Sequence, residues 1–282
     1  MSGSMDAFQI IFHSPRRTPF PRNRAAVRAA VRAIARVAGS ELLAFHISDT
    51  HIHVLVLTKR ARAGRLAQAL GVALSAALQV RFPAAGITPI NDGAHLLSAF
   101  EYVLCNDERH GVPPDPWREN TNLPDLLGLR LTAAGTVSRL RDTLPRVSGA
   151  ELYKIAGWEG IPPGDAPLDV VRAHLADTAA AVVSRHDLSS RHGDVTRATR
   201  AAVRFATEAG LSREESAALL GIGVSSAYRH LTVPPDAALT AALRRQLKVR
   251  AARPLPDAAS FADEIGRPAW DGRKGVLGGK SK

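Results

Sequence analysis

Cysteine is almost missing from this chain of 282 residues. Cys105 stands alone, which excludes an internal disulfide and any cysteine-rich zinc site. Aromatic residues supply only 5%, and the tyrosines are Tyr102, Tyr153 and Tyr228. Acidic residues are too few to balance the basic ones: 26 Asp+Glu face 37 Lys+Arg, leaving a formal charge of +11 that is nearly all arginine. No run approaches the ~20 uncharged apolar residues of a membrane span. No basic-then-apolar leader precedes the first strand pattern, so the expected compartment is cytoplasmic. The cationic excess points to a polyanionic partner. Nucleic acid is preferred to a membrane, because no basic segment carries the Trp/Phe/Leu face that docks on lipid. The competing reading of this composition is a GC-rich coding sequence.

What is present is enough apolar sequence, 45%, for ordinary cores. The length argues for two domains, or one plus appendages. Met1–Ser4, ahead of a second methionine at Met5, reads as an expression scar. Phe8–Phe12 is a short apolar strand. Asn23 is placed to cap a helix running to Ala38, with Val27, Val31, Ile34 and Val37 on one face. Arg24, Arg28, Arg32 and Arg36 recur on its other face, as a solvated surface or as a phosphate-contacting one. Glu41–Ser48 and His51–Thr58 read as a hairpin about Asp49-Thr50, and Val54–Leu57 is apolar on both faces, as a central strand is. A second helix over 63–80, a short strand over 86–90 and a third helix capped at Asn91-Asp92 follow. The order β-α-β-β-α-β-α predicts an α+β fold, an antiparallel sheet with helices on one face. Residues 112–126 read as loop. Residues 131–166 are a linker or extension, with a boundary at Pro162-Pro163-Gly164. Residues 167–250 read as all-helical, and 251–282 as a basic tail of low order.

His51-Ile52-His53 is the most informative stretch. Alternation along a strand sends His51 and His53 to the same sheet face. Imidazoles in an aliphatic strand are costly unless their polar atoms are used, by a divalent cation or by ordinary hydrogen bonds. On the third helix Leu96, Leu97, Phe100, Val103 and Leu104 gather into one apolar arc. Tyr102 lies roughly opposite that arc, with His95, Ser98 and Asn106 nearby, and Asn106 follows Tyr102 at i+4. Tyr102 is therefore either a surface or interface tyrosine, or a nucleophile beside an oxygen ligand. Asp49 and Glu101 are nearby acids, read as surface residues or as supports of a metal ligand.

Asp49-Thr50-His51-Ile52-His53-Val54-Leu55-Val56, followed downstream by Leu96 to Asn106 with Tyr102 at its centre, resembles the single-tyrosine HUH transposases, and among them the REP-associated tyrosine transposase branch. The family pattern is His, bulky hydrophobe, His, with a nucleophile helix reading Tyr-Ile-x-x-Asn-Pro-Val-Arg-Ala-Gly. Here Tyr102 to Gly111 reads Tyr-Val-Leu-Cys-Asn-Asp-Glu-Arg-His-Gly, so Asp107 replaces the proline. The aromatic, glycine-rich segment before the third helix is shortened to Phe82–Gly86. Histidine-triad hydrolases want a further alternating histidine where Leu55 stands. Two-histidine phosphoesterases want separate His-x-Thr/Ser motifs, which neither His51 nor His53 begins.

The resemblance spans residues 8 to 130 and implies a ferredoxin- or RRM-like HUH domain over 5–130. It implies Mg2+ or Mn2+ on His51, His53 and Asn106, and no nucleotide cofactor. It also implies attack by Tyr102 on single-stranded or hairpin DNA to give a 5′-phosphotyrosine, and a homodimer for complete strand transfer. A non-catalytic regulator that keeps the scaffold, and a metal-dependent phosphoesterase of small nucleotides, are the alternatives.

Leu211 to Leu231 reads as a helix-turn-helix. Ser212 and Glu215 form a capping box, Gly221 permits the turn, and Ile222 and Val224 enter the core. Ser225, Ser226, Tyr228, Arg229 and His230 then face duplex DNA, and Arg204 is expected among phosphate contacts with Arg197, Arg200, Arg244, Arg245 and Arg250. A helical hairpin packed on the first domain is the plainer reading of the same residues.

Overall fold

The computed structural model describes residues 6–20, 23–161 and 164–255. The readings of Met1–Ser4, of Pro162-Pro163 and of the tail beyond Leu255 fall outside them. The chain runs β1 (Asp6–His13), α1 (Arg24–Ala38), β2 (Leu42–Ile47), β3 (His51–Thr58), α2 (Arg60–Leu78), β4 (Gly86–Ile90) and α3 (Gly93–Leu104). Four short helices follow: α4 (Asn106–Arg109), α5 (Leu123–Leu126), α6 (Gly135–Thr143) and α7 (Gly149–Ala156). The remainder is helical: α8 (Leu168–Val182), α9 (Gly193–Glu208), α10 (Arg213–Leu220), α11 (Val224–Thr232) and α12 (Ala237–Ala252). The protein is α+β, with one four-stranded sheet in the order β2-β3-β1-β4, all neighbours antiparallel. Among the described residues no helix is long and apolar enough to cross a membrane.

The sheet is covered on both faces, which corrects the expectation of helices on one. Phe8, Ile10, Phe12, Ile52, Val54 and Val56 point one way and pack with α1 and α2. Ala7, Leu55 and Leu57 point the other way and pack with α3, α6 and α7. The physical reason lies in β3. A strand whose alternate residues are both aliphatic must bury both faces, so a second layer is obligatory. The antiparallel register sets His51 opposite His13, and His53 opposite Ile11 on one side and His46 on the other.

The stretch read as loop before α5 is a buried strap along the outer edge of β2. The Ile47 N–H donates to the Asn120 carbonyl at 2.8 Å. Asn122 accepts from the Phe45 N–H and donates to the Leu43 carbonyl, both at 3.0 Å. These bonds close an edge that would otherwise be an open template for another strand. Residues 135–156 continue the same layer, because Leu140, Leu144, Leu152 and Ala156 share a core with α3. An extension packed on the sheet layer, rather than a free linker, thus holds the chain before residue 157.

Three of the four stripe arginines of α1, Arg24, Arg28 and Arg32, form an internal joint, while Arg36 stays exposed. Arg28 is 1% exposed and chelates Glu119 of the strap at 2.7 and 2.9 Å. Arg28 also meets Asp177 of α8 at 2.8 Å. From α12, the buried Arg250 reaches Glu119 at 3.0 Å and Asp177 at 2.5 Å. Trp117 is flanked by Arg250 at 3.9 Å and Arg24 at 4.3 Å from its ring centre. Arg32 donates to the Ser184 carbonyl just past α8. Charges this deep tolerate only complete pairing. Burial by itself would raise the Glu119 carboxyl, but the Arg28 guanidinium and then Arg250 hold it below the usual carboxylate range.

A carboxyl whose pKa is depressed on folding stabilises the fold above its unfolded value, and that stability is lost as pH falls through the folded one. Glu119→Gln is therefore expected to cost about 3–5 kcal/mol at pH 7. The gap between wild type and variant in urea titrations should shrink below the ordinary carboxylate range. An undiminished gap at low pH would contradict this account of the joint.

Candidate functional site

β3 delivers His51 and His53 to the face covered by α3, as alternation demands. Their rings lie 4.8 Å apart at 87°. Asp92 caps α3 by accepting the His95 N–H, and the apolar arc Leu96, Phe100, Val103 and Leu104 seats that helix on the sheet. Leu97 departs from the expected arc. It is 37% exposed, because it stands on the helix flank away from the sheet. Tyr102 occupies the opposite flank, half-buried, with its ring edge-on to His53 at 5.5 Å and 90°. Tyr153 and Tyr228 lie elsewhere: Tyr153 packs against Trp158, and Tyr228 is on α11.

The helix does not run through to Asn106. It ends at Leu104, and Asn106 opens α4, fully buried and near His51. Neither Oδ1 nor Nδ2 of Asn106 has a hydrogen-bond partner, and the same is true of His53 Nε2. His53 Nδ1 is occupied by the Gln9 amide at 3.0 Å, and His51 Nδ1 by the Thr50 hydroxyl at 3.3 Å. The Gln9 amide N–H donates to His53 Nδ1, which puts the ring proton of this rotamer on Nε2; with the Gln9 amide turned over, its oxygen would accept from Nδ1–H and leave the Nε2 lone pair for a metal. Buried polar atoms without protein partners are costly, and water or a bound group would have to satisfy these.

The electrostatics agree with neutral imidazoles. Burial pushes the His53 ring down to about 3, helped by His51 and His46, and burial with His110 and His13 also lowers His51. Neutral rings keep their lone pairs at neutral pH. Two imidazole nitrogens and an amide oxygen could hold a divalent cation in which water or phosphate completes the shell. Among the described residues no group of three or more His, Cys, Asp or Glu side chains is disposed to hold a metal ion. The set above contains two side chains of those types, both histidines.

Several site residues escaped sequence reasoning. His13 and Gln9 enter from β1, and only the strand register reveals that they face the pair. His110 stands 5.3 Å from His51, ring to ring, at the end of α4. Arg109 places its guanidinium 5.4 Å over the Tyr102 ring. Asp107, which departs from the family motif, holds α4 to β2. It meets buried His46 Nε2 at 2.9 Å and accepts from Ser48 and Asn120 at 3.0 Å each. Asp49 accepts hydroxyl bonds from Ser48 and Thr50 within the β2–β3 turn, and Glu101 is exposed on α3.

In the helical part, α10 and α11 meet at a turn whose Gly221 adopts φ 64°, a left-handed conformation that glycine takes without strain. Only half of the expected capping box forms. Ser212 accepts the Glu215 N–H, but the Glu215 carboxylate turns to Arg172 at 2.7 Å. Val224 is 46% exposed, not a core residue, because it is the first residue of α11 and faces outward; Ile222 does pack inward. On α11, Ser225 and Arg229 are exposed, Ser226 accepts from Arg229 at 3.1 Å, and His230 is half-buried. Tyr228 is 54% exposed beneath Arg213. Arg204 is half-buried and donates to the Leu231 carbonyl at 2.9 Å, so it holds the end of α11. Arg197 pairs with Asp236, Arg244 with Asp165 and Glu208, and Arg245 donates to Gly128; buried Arg250 belongs to the joint.

Asn106 and Asp107 should behave in opposite ways when removed. Asn106→Ala deletes an unsatisfied amide and is expected to leave the melting temperature unchanged or raised. Asp107→Ala strands His46 and should cost about 3 kcal/mol. A large loss of thermal stability in Asn106→Ala would show that its amide is satisfied after all.

Comparison of the chain with protein-family models, with curated proteins and with solved structures finds no match.

Proposed function

We propose that this chain is a metal-dependent single-stranded DNA endonuclease and strand-transfer enzyme, a transposase of the single-tyrosine HUH kind and closest in motif to the REP-associated branch. The observation that carries the reading is the meeting of Tyr102 with the His51–His53 pair, beside a buried Asn106 whose amide has no partner. Further support comes from the strand order β2-β3-β1-β4 with α1 and α2 on one face, which is that of a ferredoxin-like split βαβ sheet.

In this mechanism the Tyr102 oxygen attacks the scissile phosphorus. The bond from phosphorus to the 3′ oxygen breaks, that oxygen takes up a proton, and the phenol proton passes to solvent. The product is a 5′-phosphotyrosine and a free 3′ hydroxyl, and reversal on a new 3′ end rejoins strands without a nucleotide cofactor. Mg2+ or Mn2+ on His53 Nε2, His51 and the Asn106 oxygen would polarise the phosphate as a Lewis acid. Arg109 stands over the ring where negative charge gathers. Gln9 and Thr50 orient the imidazoles, and Asp107 anchors Asn106 through β2. The exposed face of α11, with Ser225, Tyr228 and Arg229, is the surface for duplex or hairpin stems, as the second helix of a helix-turn-helix.

The test is incubation with Mn2+ or Mg2+ and labelled hairpin oligonucleotides taken from sequence flanking the gene, followed by denaturing electrophoresis. A covalent adduct is expected. It should vanish in Tyr102→Phe and fall at least 100-fold in His53→Ala. Duplex binding without any adduct would favour a regulator, and turnover of small nucleotides without adduct a phosphoesterase. Arg229→Ala together with Tyr228→Ala should weaken stem binding about tenfold or more while leaving cleavage of stemless strands intact. Equal losses on both substrates would remove α11 from stem recognition.

A further inference from the structure

A cleft of ≈ 290 Å³ opens on the flank of α3 away from the histidines, between α3, α4 and α7. Leu97, Val147 and Ile155 form its apolar lining, and Arg109, Arg146 and Lys154 its cationic rim. We propose that this cleft holds the nucleotides on the 3′ side of the scissile phosphate, the part of the strand that stays joined to Tyr102 after cleavage; the proposal rests on reading Tyr102 as the nucleophile.

The chemistry of the step sets the polarity. When a tyrosine oxygen displaces a 3′ oxygen, the fragment left on the tyrosine is the one carrying the 5′ phosphate. The departing fragment can leave on the histidine side. The retained fragment must be accommodated by surfaces reached from the nucleophile's own helix, and the cleft is such a surface. Arg109 links the two places, since it lies over the Tyr102 ring at 5.4 Å and also borders the cleft.

The lining matches a nucleic acid strand better than a peptide or a lipid. Single-strand sites combine cations that follow the phosphates with an apolar surface for base faces. Arg109, Arg146 and Lys154 are all exposed, as their role requires. The acids bordering the cleft are Glu101 and Glu151, and Glu151 is already engaged by the Ser148 N–H at 2.6 Å as the cap of α7. Leu97 is 37% exposed on a helix whose other large apolar residues are buried, and a base face would cover it. The assignment also gives work to α7 and the turn before it, which supply Arg146, Val147, Lys154 and Ile155 from outside the stretch that resembles the transposases.

The experiment uses the full chain, wild type and Arg146→Ala/Lys154→Ala, with Val147→Glu, which places a negative charge in the lining, as a second variant expected to weaken binding likewise. Circular dichroism melts check that the variants fold. Fluorescence anisotropy with a labelled oligothymidine strand across a salt series is the first readout. The double variant is expected to bind at least tenfold more weakly, with the slope of log K on log salt reduced by about 1.4, at ~0.7 per phosphate contact. The second readout is adduct yield on hairpin substrates trimmed from either end. Wild type and variant should converge when the 3′ flank is cut to one nucleotide, and should remain apart when the 5′ flank is cut. Unchanged affinity and slope alongside a normal wild-type adduct would overturn the cleft assignment alone. Convergence on the 5′-trimmed substrate instead would overturn the polarity. Weakened strand binding without any Tyr102 adduct from wild type would overturn the nucleophile reading, and this assignment with it.

Discussion

The seating of α3 and α4 against the histidine-bearing face of the sheet is the constraint on which the site depends. Apolar residues of α3 supply the adhesion, but adhesion alone does not fix where α4 lies. That is set by Asp107, which meets His46 on β2 and takes further bonds from Ser48 and Asn120. Burial would raise this carboxyl, yet the His46, Asn120 and Ser48 contacts leave it lowered. Asn106 is consequently buried beside His51 with both amide atoms unspent, a costly arrangement that makes sense only if the position is worth more than the lost hydrogen bonds.

A second joint ties the helical part to the sheet layers. Arg28 from α1, Glu119 from the strap, Asp177 from α8 and Arg250 from α12 neutralise one another where three parts of the chain meet. The Trp117 indole N–H also donates to the Arg253 carbonyl at 2.8 Å, so the chain after α12 returns to the strap. The face of α11 that carries Tyr228 is thereby presented by helices that are fixed to the sheet domain through charge and aromatic contact. Much of the arginine excess that suggests a polyanionic partner is spent internally in this way.

The sheet, the α1 cap at Asn23, the Asp92 cap and the pairing of His51 with His53 were legible because alternation and capping are local. Tyr102 was read roughly opposite the apolar arc of α3, whereas it stands on the helix flank, half-buried against His53; the break at Cys105 was not legible either, and Asn106 reaches the site by a turn instead of by i+4 spacing. What local pattern could not reveal is anything set by register or by distant packing. His13 and Gln9 face the pair only because β1 pairs with β3 in one register. The strap carries no periodicity, since its residues bind β2 through single backbone and amide bonds. The arginines of α1 have the spacing of a solvated stripe, and the burial of Arg28 depends on acids from residues far along the chain. Val224 and the half-formed box at Ser212 show the converse limit: a motif states which residues are suited to a role, and neighbours such as Arg172 decide which take it.

The most direct measurement is mass spectrometry of proteolytic peptides after reaction of the full chain with Mn2+ and a cleavable single strand. The account predicts a nucleotide carried through a 5′ phosphate on the peptide containing Tyr102. Attachment at Tyr153 or Tyr228, or a cleaved strand with no peptide carrying a nucleotide, would contradict it.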